Sequence, residues 1–424
     1  MTTPTTDTLI ESPSKRTRNR VMLLLAALGP GIIAASAGND AGGIATYSTA
    51  GASYGYATLW MIFVMTFSLV IVQEMAARMG MVSGKGFAAL IRERFGIRPT
   101  LFAMFCLLAS NAATSVAEFA GIAASLELFG VSKYVSVPLA AIAVWFLVVR
   151  GSYQRVEKVG LALSAIFLSY VVAAFMAKPD WGVVLKATVV PQFVPTTGFV
   201  LIVIATIGTT IAPWMQFFVQ SNIVDKGVTV KEMFYQRVDV ISGAISANIV
   251  AWFIIVTTGA VLYPRGIRAS SAENAARALA PVAGHYASIL FAIGLFGASL
   301  LAACVLPLTA SYAICEAFGF ERGIDRSWSE APVFNGLYTF VIFFGAVFVL
   351  IPNAPLITIM VLSQAVNGVL LPFLLIFMMI IVNDRRIMGR YVNGRVYNVL
   401  GWTTVVVVIG LTVALLGMQA LGMS

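Results

Sequence analysis

Three features make this 424-residue chain an all-α polytopic membrane protein: 59% of its residues are hydrophobic, only 11% are charged, and long apolar stretches recur along almost its whole length. Crossing about 30 Å of hydrocarbon takes roughly 20 helical residues. Eleven stretches meet or approach that demand, at approximately 21–50, 55–78, 99–126, 134–150, 157–176, 198–223, 238–263, 284–318, 333–351, 354–382 and 396–422. Their apolar runs are continuous rather than alternating, which selects helices over a β-barrel.

The formal net charge of +9 does not mark a nucleic-acid partner, because the basic residues are distributed by side of the membrane. Lys133, Lys178, Lys186, Arg265, Arg268 and Arg277 fall in one set of loops, and every other Lys and Arg falls in the alternate set. The positive-inside rule then predicts a cytoplasmic N-terminus and an extracytoplasmic C-terminus, in what is expected to be a bacterial inner membrane. Residues 1–20 are polar and rich in Thr, Ser and Pro, and are expected to form a disordered cytoplasmic tail. The apolar stretch from Val21 is too long for a signal peptide. Cys106, Cys304 and Cys315 lie within spans without metal-ligand spacing, so buried thiols are expected.

Residues 21–424 form one transmembrane domain with internal organisation. Span 1 carries Ser36-Ala37-Gly38-Asn39-Asp40-Ala41-Gly42-Gly43, and span 6 carries Gly208-Thr209-Thr210-Ile211-Ala212-Pro213. Matching breaks in two spans point to a transporter built from repeats. Repeat one is 21–176, repeat two is 198–382, and 396–422 is an appended helix. Each repeat has five spans, an odd number, so the second is inverted.

Helix breaks in hydrocarbon leave backbone groups without partners, which is tolerable only where they face a cavity, water or an ion. A lone glycine pair is more often a close-packing device. Asp40 changes that balance, because a carboxylate deep in an apolar span costs about 2.5–3.5 kcal/mol on insertion scales and calls for a functional partner. The other acidic residues in or near spans divide by depth. Glu74 and Asp239 stand near span ends beside Arg78 and Arg237, where solvated ion pairs are expected. Glu118 is deeper, on the small and polar face Asn111–Glu118, which suits a water path and tight packing equally. His285 follows an outer loop and is expected to be interfacial. No Ser-His-Asp set, paired intramembrane aspartates or HExxH motif is present, so an enzyme is not expected.

Four segments carry a resemblance to a known family: Gly29-Pro30-Gly31 through Asp40-Ala41-Gly42-Gly43, Gln73-Glu74-Met75-Ala76-Ala77-Arg78-Met79-Gly80, Ala117-Glu118-Phe119-Ala120-Gly121, and Asn383-Asp384-Arg385-Arg386-Ile387-Met388-Gly389. Together they make the chain similar to the natural resistance-associated macrophage protein (NRAMP) family of divalent metal transporters. The resemblance covers spans 1–11. It implies a LeuT-like inverted repeat with the ion between broken spans 1 and 6. It also implies that Asp40 is the metal-binding aspartate, that Gln73 faces the site, and that Thr209 offers its backbone carbonyl, with Thr210 beside it.

The departures from the family pattern carry the specificity argument. Gly43 stands where the family has a coordinating asparagine, and Ala212 where it has a coordinating methionine. A thioether favours Mn²⁺, Fe²⁺ and Cd²⁺ over hard ions, and its loss removes that preference. Mg²⁺ keeps several waters and uses one or two carboxylates, which suits a roomier site around Asp40. This pattern resembles the NRAMP-related magnesium transporter branch. Trp214 and Val219 occupy the family's two span-6 histidine positions, and Ser115 replaces an aspartate before Glu118, while Glu118, Arg385 and Arg386 remain. Without a titrating histidine in span 6, the resemblance implies passive flux of Mg²⁺, and also Mn²⁺, without proton coupling.

The expected partners are therefore the transported divalent ion and the lipid bilayer, with no nucleic acid, no resident cofactor and no required oligomer. Competing readings are a proton-coupled Mn²⁺/Fe²⁺ importer with ligands shifted to Asn39 or Asn367, an organic-solute carrier, and a non-transporting receptor of the same architecture. Asp40 would repel a carboxylate substrate.

Overall fold

The computed structural model describes residues 39–149, 165–323 and 326–421. The polar tail, span 1 up to Gly38, the segment holding Arg150, Arg155 and Lys158, and the first part of span 5 lie outside the described residues. Among the described residues every regular element is helical. The principal helices are α1 (Ala41–Tyr54), α2 (Leu59–Ser83), α3 (Phe87–Phe95), α4 (Ile97–Glu127), α5 (Lys133–Val149), α6 (Ser169–Met176) and α7 (Trp181–Val189). They continue with α8 (Thr197–Thr210), α9 (Pro213–Asp225), α10 (Met233–Val261), α11 (Ala287–Phe318), α12 (Pro332–Val349), α13 (Leu356–Val382), α14 (Arg385–Met388) and α15 (Arg395–Ala420). Eight described helical stretches are long and apolar enough to cross a membrane. With α1, α5 and α6, the described parts of spans 1, 4 and 5, they cover all eleven predicted stretches.

Local chemistry sets the helix ends. Thr196 caps α8, its side chain accepting from the Phe199 amide at 3.2 Å. Proline stands at the first position of α9 and α12, where the missing N–H costs nothing. Gly84 ends α2 in the left-handed conformation, φ 63°, and its amide donates to the Gly80 carbonyl.

Outward-facing Phe63, Phe67, Phe105, Leu139, Phe340 and Val406 are exposed in the isolated chain, as side chains that contact lipid should be. Inside, two apolar clusters meet. One gathers α1, the second half of α4, α5, α10 and α11; the other gathers α2, α3, the first half of α4, α9 and α13. Along α8 and α13 the backbones touch, since a Cβ on Gly208 would collide with the Gln364 carbonyl and one on Gly368 with the Ile204 carbonyl. Gly208 is therefore a packing residue inside α8, and the helix breaks three residues later.

Glu74 and Asp239 are not the solvated residues that their positions near span ends predict. Glu74 is buried at 1% exposure, bridged by Arg78 at 3.2 Å and by Arg237 of α10 at 2.8 Å. Arg78 also donates to the Tyr391 carbonyl at 2.7 Å and to Asn393 Oδ1 at 2.5 Å. The 389–394 linker thus covers the pair, a tertiary effect that no local pattern signals. Asp239 is also fully buried and accepts from Gln236 at 3.1 Å.

Candidate functional site

Span 6 breaks for a reason written in its sequence. α8 ends at Thr210, Ile211 and Ala212 leave helical geometry, and α9 restarts at Pro213. Proline has no N–H, so the Thr209 carbonyl, which an uninterrupted helix would pair with residue 213, loses that donor. The Ala212 carbonyl is already used by the Met215 amide at 3.1 Å. The Thr209 carbonyl is thus one of those that the break releases, with its neighbours on Gly208, Thr210 and Ile211, at the negative end of the α8 dipole.

Opposite it, α1 starts on Asp40. The Asp40 carboxylate caps the helix by accepting from the Gly43 amide at 2.6 Å. Glu118 of α4 takes the neighbouring amide, Ala41 N, at 3.3 Å. Two buried carboxylates therefore sit at one positive helix end, which lowers the cost of holding them as anions. Gly42 has no room for a side chain, because a Cβ there would run into the Gln364 amide. Tyr47 then ties α1 to the break, its hydroxyl 3.0 Å from Thr210 Oγ1.

Between these elements lies a small cavity with space for about one water-sized species. Its polar lining is Asn39, Tyr47, Gln73, Thr209, Thr210 and Asn248. Gln73 Oε1 is buried without a hydrogen-bond partner, so an oxygen donor is left over for whatever fills the space. Asn248 is held by donating to Thr66 at 3.0 Å, and Asn39 donates to the Ala247 carbonyl at 3.4 Å. Met215, one turn beyond Ala212, also lines the cavity and brings a sulfur to the wall.

The predicted site residues divide accordingly. Asn39, Gln73, Thr209 and Thr210 line the cavity; Asp40, the next residue after Asn39, is buried with its carboxylate turned to the Gly43 amide and does not line it. Gly43 and Ala212 are buried at the starts of α1 and α9 but do not line the cavity. Glu118 touches the α1 terminus from behind. Trp214 is fully buried against Phe218, with ring centroids 5.9 Å apart, and is absent from the cavity wall.

Arg385 and Arg386, assigned to a loop by the sequence, are exposed in the short α14, and Arg386 lies by the end of α2. Asn367 is saturated, accepting from Ser110 at 2.6 Å and donating to Thr114 and Gln364 at 2.8 Å each, so it has little to offer an ion. Sequence reasoning missed Tyr47, Asn248 and Met215. For Met215 a signal existed, its one-turn spacing from Ala212 on the broken span. Among the described residues no group of three His, Cys, Asp or Glu side chains forms a metal cluster.

A span broken at a released carbonyl, facing a second helix that starts on a buried aspartate, is the arrangement by which secondary transporters hold an ion inside the bilayer. The chain is in that class, a membrane transporter and not an enzyme. Residues 31–417 match the model of the natural resistance-associated macrophage protein-like (Nramp) family, and the chain belongs to it. It is 29% identical over 416 residues to the divalent metal cation transporter MntH of Pectobacterium carotovorum, covering 96% of this chain and 97% of that one. Its fold is similar to the Eremococcus coleocola manganese transporter, with TM-score 0.78 at 22% identity, covering 94% of this chain and 87% of the other. The likeness extends to Mhp1, a nucleobase-cation-symport-1 family transporter, with TM-score 0.56 at 13% identity over 92% of each chain. The architecture is thus the LeuT-like inverted repeat with an eleventh helix.

Proposed function

We propose that this Nramp-type divalent-metal transporter carries Mg²⁺, with Mn²⁺ as a second cargo, passively and without proton coupling. The ion binds beside Asp40, between the two broken spans; the cavity described, with space for about one water-sized species, is tighter than the roomier site expected from Gly43 and Ala212, so a partly hydrated ion enters only as alternating access opens it. The observation that supports this most is the composition of the site: a cavity lined by neutral oxygen-bearing side chains, the buried carboxylates Asp40 and Glu118 at the adjacent α1 start, and no side-chain ligand at Gly43 or Ala212. Few charged ligands and retained water suit Mg²⁺. Manganese is the ion named for the Eremococcus transporter, and it is carried to this chain as the lesser substrate.

The absence of proton coupling rests on the histidines. The chain has one, His285, which is exposed in a connecting segment, while Trp214 and Val219 are buried in α9. With a cytoplasmic N-terminus, as the basic loops predict, an inward-negative potential favours import of a dication by about 4.6 kcal/mol per 100 mV. Uptake of Mg²⁺ and Mn²⁺ into proteoliposomes, with and without an imposed pH gradient, tests the proposal. Mg²⁺ uptake should follow the membrane potential and leave luminal pH unchanged. Mg²⁺-dependent acidification, or exclusion of Mg²⁺ by a protein that carries Mn²⁺, contradicts it. Met215 and Glu118 favour the second reading, a proton-coupled Mn²⁺ importer, and the same assay separates the two.

A further inference from the structure

The arginine-rich end of the molecule holds a second cavity, of about 590 Å³, that shares no lining residue with the ion site. The end of α2, the α2–α3 turn, α3 and α14 line it, and its volume is in the range of roughly 300–1,000 Å³ common for small-ligand pockets. Three cations line it: Lys85 in the α2–α3 turn, Arg94 at the end of α3, and Arg386 of α14. Two carboxylates share the wall, and each is already engaged. Lys85 bridges Glu93 at 2.6 Å, and Arg94 bridges Asp384 at 2.6 Å. The Arg386 charge is left in excess. Arg92, Arg385 and Arg390, all exposed, add positive charge in the same two segments.

What adjoins this cavity identifies the occupant. α3 is amphipathic, with Phe87, Ala88, Leu90 and Ile91 buried and Arg92, Glu93 and Arg94 turned outward. Directly after it, α4 begins with exposed Ile97, Leu101, Phe102 and Phe105. Phe102 packs edge-on against Phe373 of α13, with centroids 5.4 Å apart, and both rings remain over 40% exposed. Phe95, next after the cavity-lining Arg94, packs edge-on against Phe377 of α13 at 5.0 Å, one turn from Phe373, so the positively charged pocket is joined to an aromatic strip on membrane-spanning helices. A soluble anion would match the first feature only, and a zwitterionic headgroup would bring its own cation to a wall already in positive excess.

We propose that this cavity binds the headgroup of one anionic phospholipid, with its phosphate among Lys85, Arg94 and Arg386 and an acyl chain along Phe102 and Phe373. The lipid clamps the α2–α3 turn to α14 on the outside of the Arg94–Asp384 bridge, so it fastens the end of span 2 to the end of span 10.

The test is native mass spectrometry of the purified full-length chain in detergent, supplied with equal amounts of phosphatidylglycerol and phosphatidylcholine. One phosphatidylglycerol should be retained in preference. Lys85→Gln and Arg386→Gln should each weaken retention roughly fivefold, since a basic residue near anionic lipid contributes on the order of 1 kcal/mol. Arg265→Gln with Arg268→Gln, exposed at the opposite end, removes two charges and should leave retention unchanged. Soluble glycerol phosphate at matching concentration should not displace the lipid. Equal retention of phosphatidylcholine, an equal loss in the opposite-end variant, unchanged retention in a folded Arg386→Gln protein, or displacement by glycerol phosphate each overturns the proposal. Thermal unfolding of each variant establishes that it is folded, and Arg386→Gln alone decides if Lys85→Gln is not.

Discussion

Two helices begin at the centre of the molecule, α1 and α9, and they begin differently. α1 has a side-chain cap from Asp40 and a second carboxylate, Glu118, on its first amide. α9 has Ala212 at its cap position, no side-chain cap, and a proline that removes one donor. The first helix end concentrates negative charge, while the second breaks the span and releases the Thr209 carbonyl on its far side. On the proposed function, a cation would be held from unlike directions, by carboxylate charge from span 1 and by a dipole end from span 6. Equivalent breaks in the two repeats do not supply equivalent ligands.

Removing the charge while keeping the cap is the strongest way to break this contrast. Asparagine caps helices about as well as aspartate, so Asp40→Asn should leave thermal stability near the parent and reduce uptake of every divalent ion to background. Asp40→Ala should lose uptake equally and about 1 kcal/mol of stability as well, read as a lower Tm. Substantial Mg²⁺ uptake by either folded variant would move the site to Glu118.

A smaller effect is expected at the other break. Pro213→Ala supplies an N–H to the Thr209 carbonyl and closes α8 onto α9. One competing hydrogen bond of about 1 kcal/mol should raise KM for Mg²⁺ roughly fivefold in initial-rate assays. An unchanged KM would mean that the carbonyl does not meet the ion.

Selectivity sharpens the comparison further. Gly43→Asn with Ala212→Met places an amide and a thioether at the two helix starts and forces the ion to shed water. Competition against Mn²⁺ uptake should then weaken for Mg²⁺ and strengthen for Cd²⁺. If the double variant transports with unchanged selectivity, the two small residues do not set it. The smallest change is expected from Met215→Leu, a near volume-conserving swap. Cd²⁺ competition should fall while Mg²⁺ uptake holds, and an effect on both ions would assign Met215 to packing alone.

The parts of the site that were legible in the sequence are those with local causes. Asp40 announces itself as a charge within an apolar run, and Pro213 as a residue unable to donate. Tyr47 and Asn248 were not legible, because helices buried on several sides lack the one-sided periodicity that says which face turns inward, whereas the spacing of Met215 from Ala212 was a signal left unused. Tyr47 became visible only through Thr210, and Asn248 through Thr66. Arg385 and Arg386 were legible from charge alone: the sequence puts them in the loop after span 10, and the structure has them exposed there. For Glu74 the deciding fact was the 389–394 linker, more than 300 residues away.

That linker bears on how the transporter moves. Separating Glu74 from both arginines would leave a buried charge uncompensated, at a cost of about 3–5 kcal/mol, several times thermal energy. The ends of α2 and α10 therefore travel as one rigid body, with the start of α15 harnessed to them through Asn393 and Asn398. A body that cannot flex at its end must pivot elsewhere. Ile211–Ala212, where helical bonding lapses between α8 and α9, offers such a pivot, and it stands next to the proposed ion site.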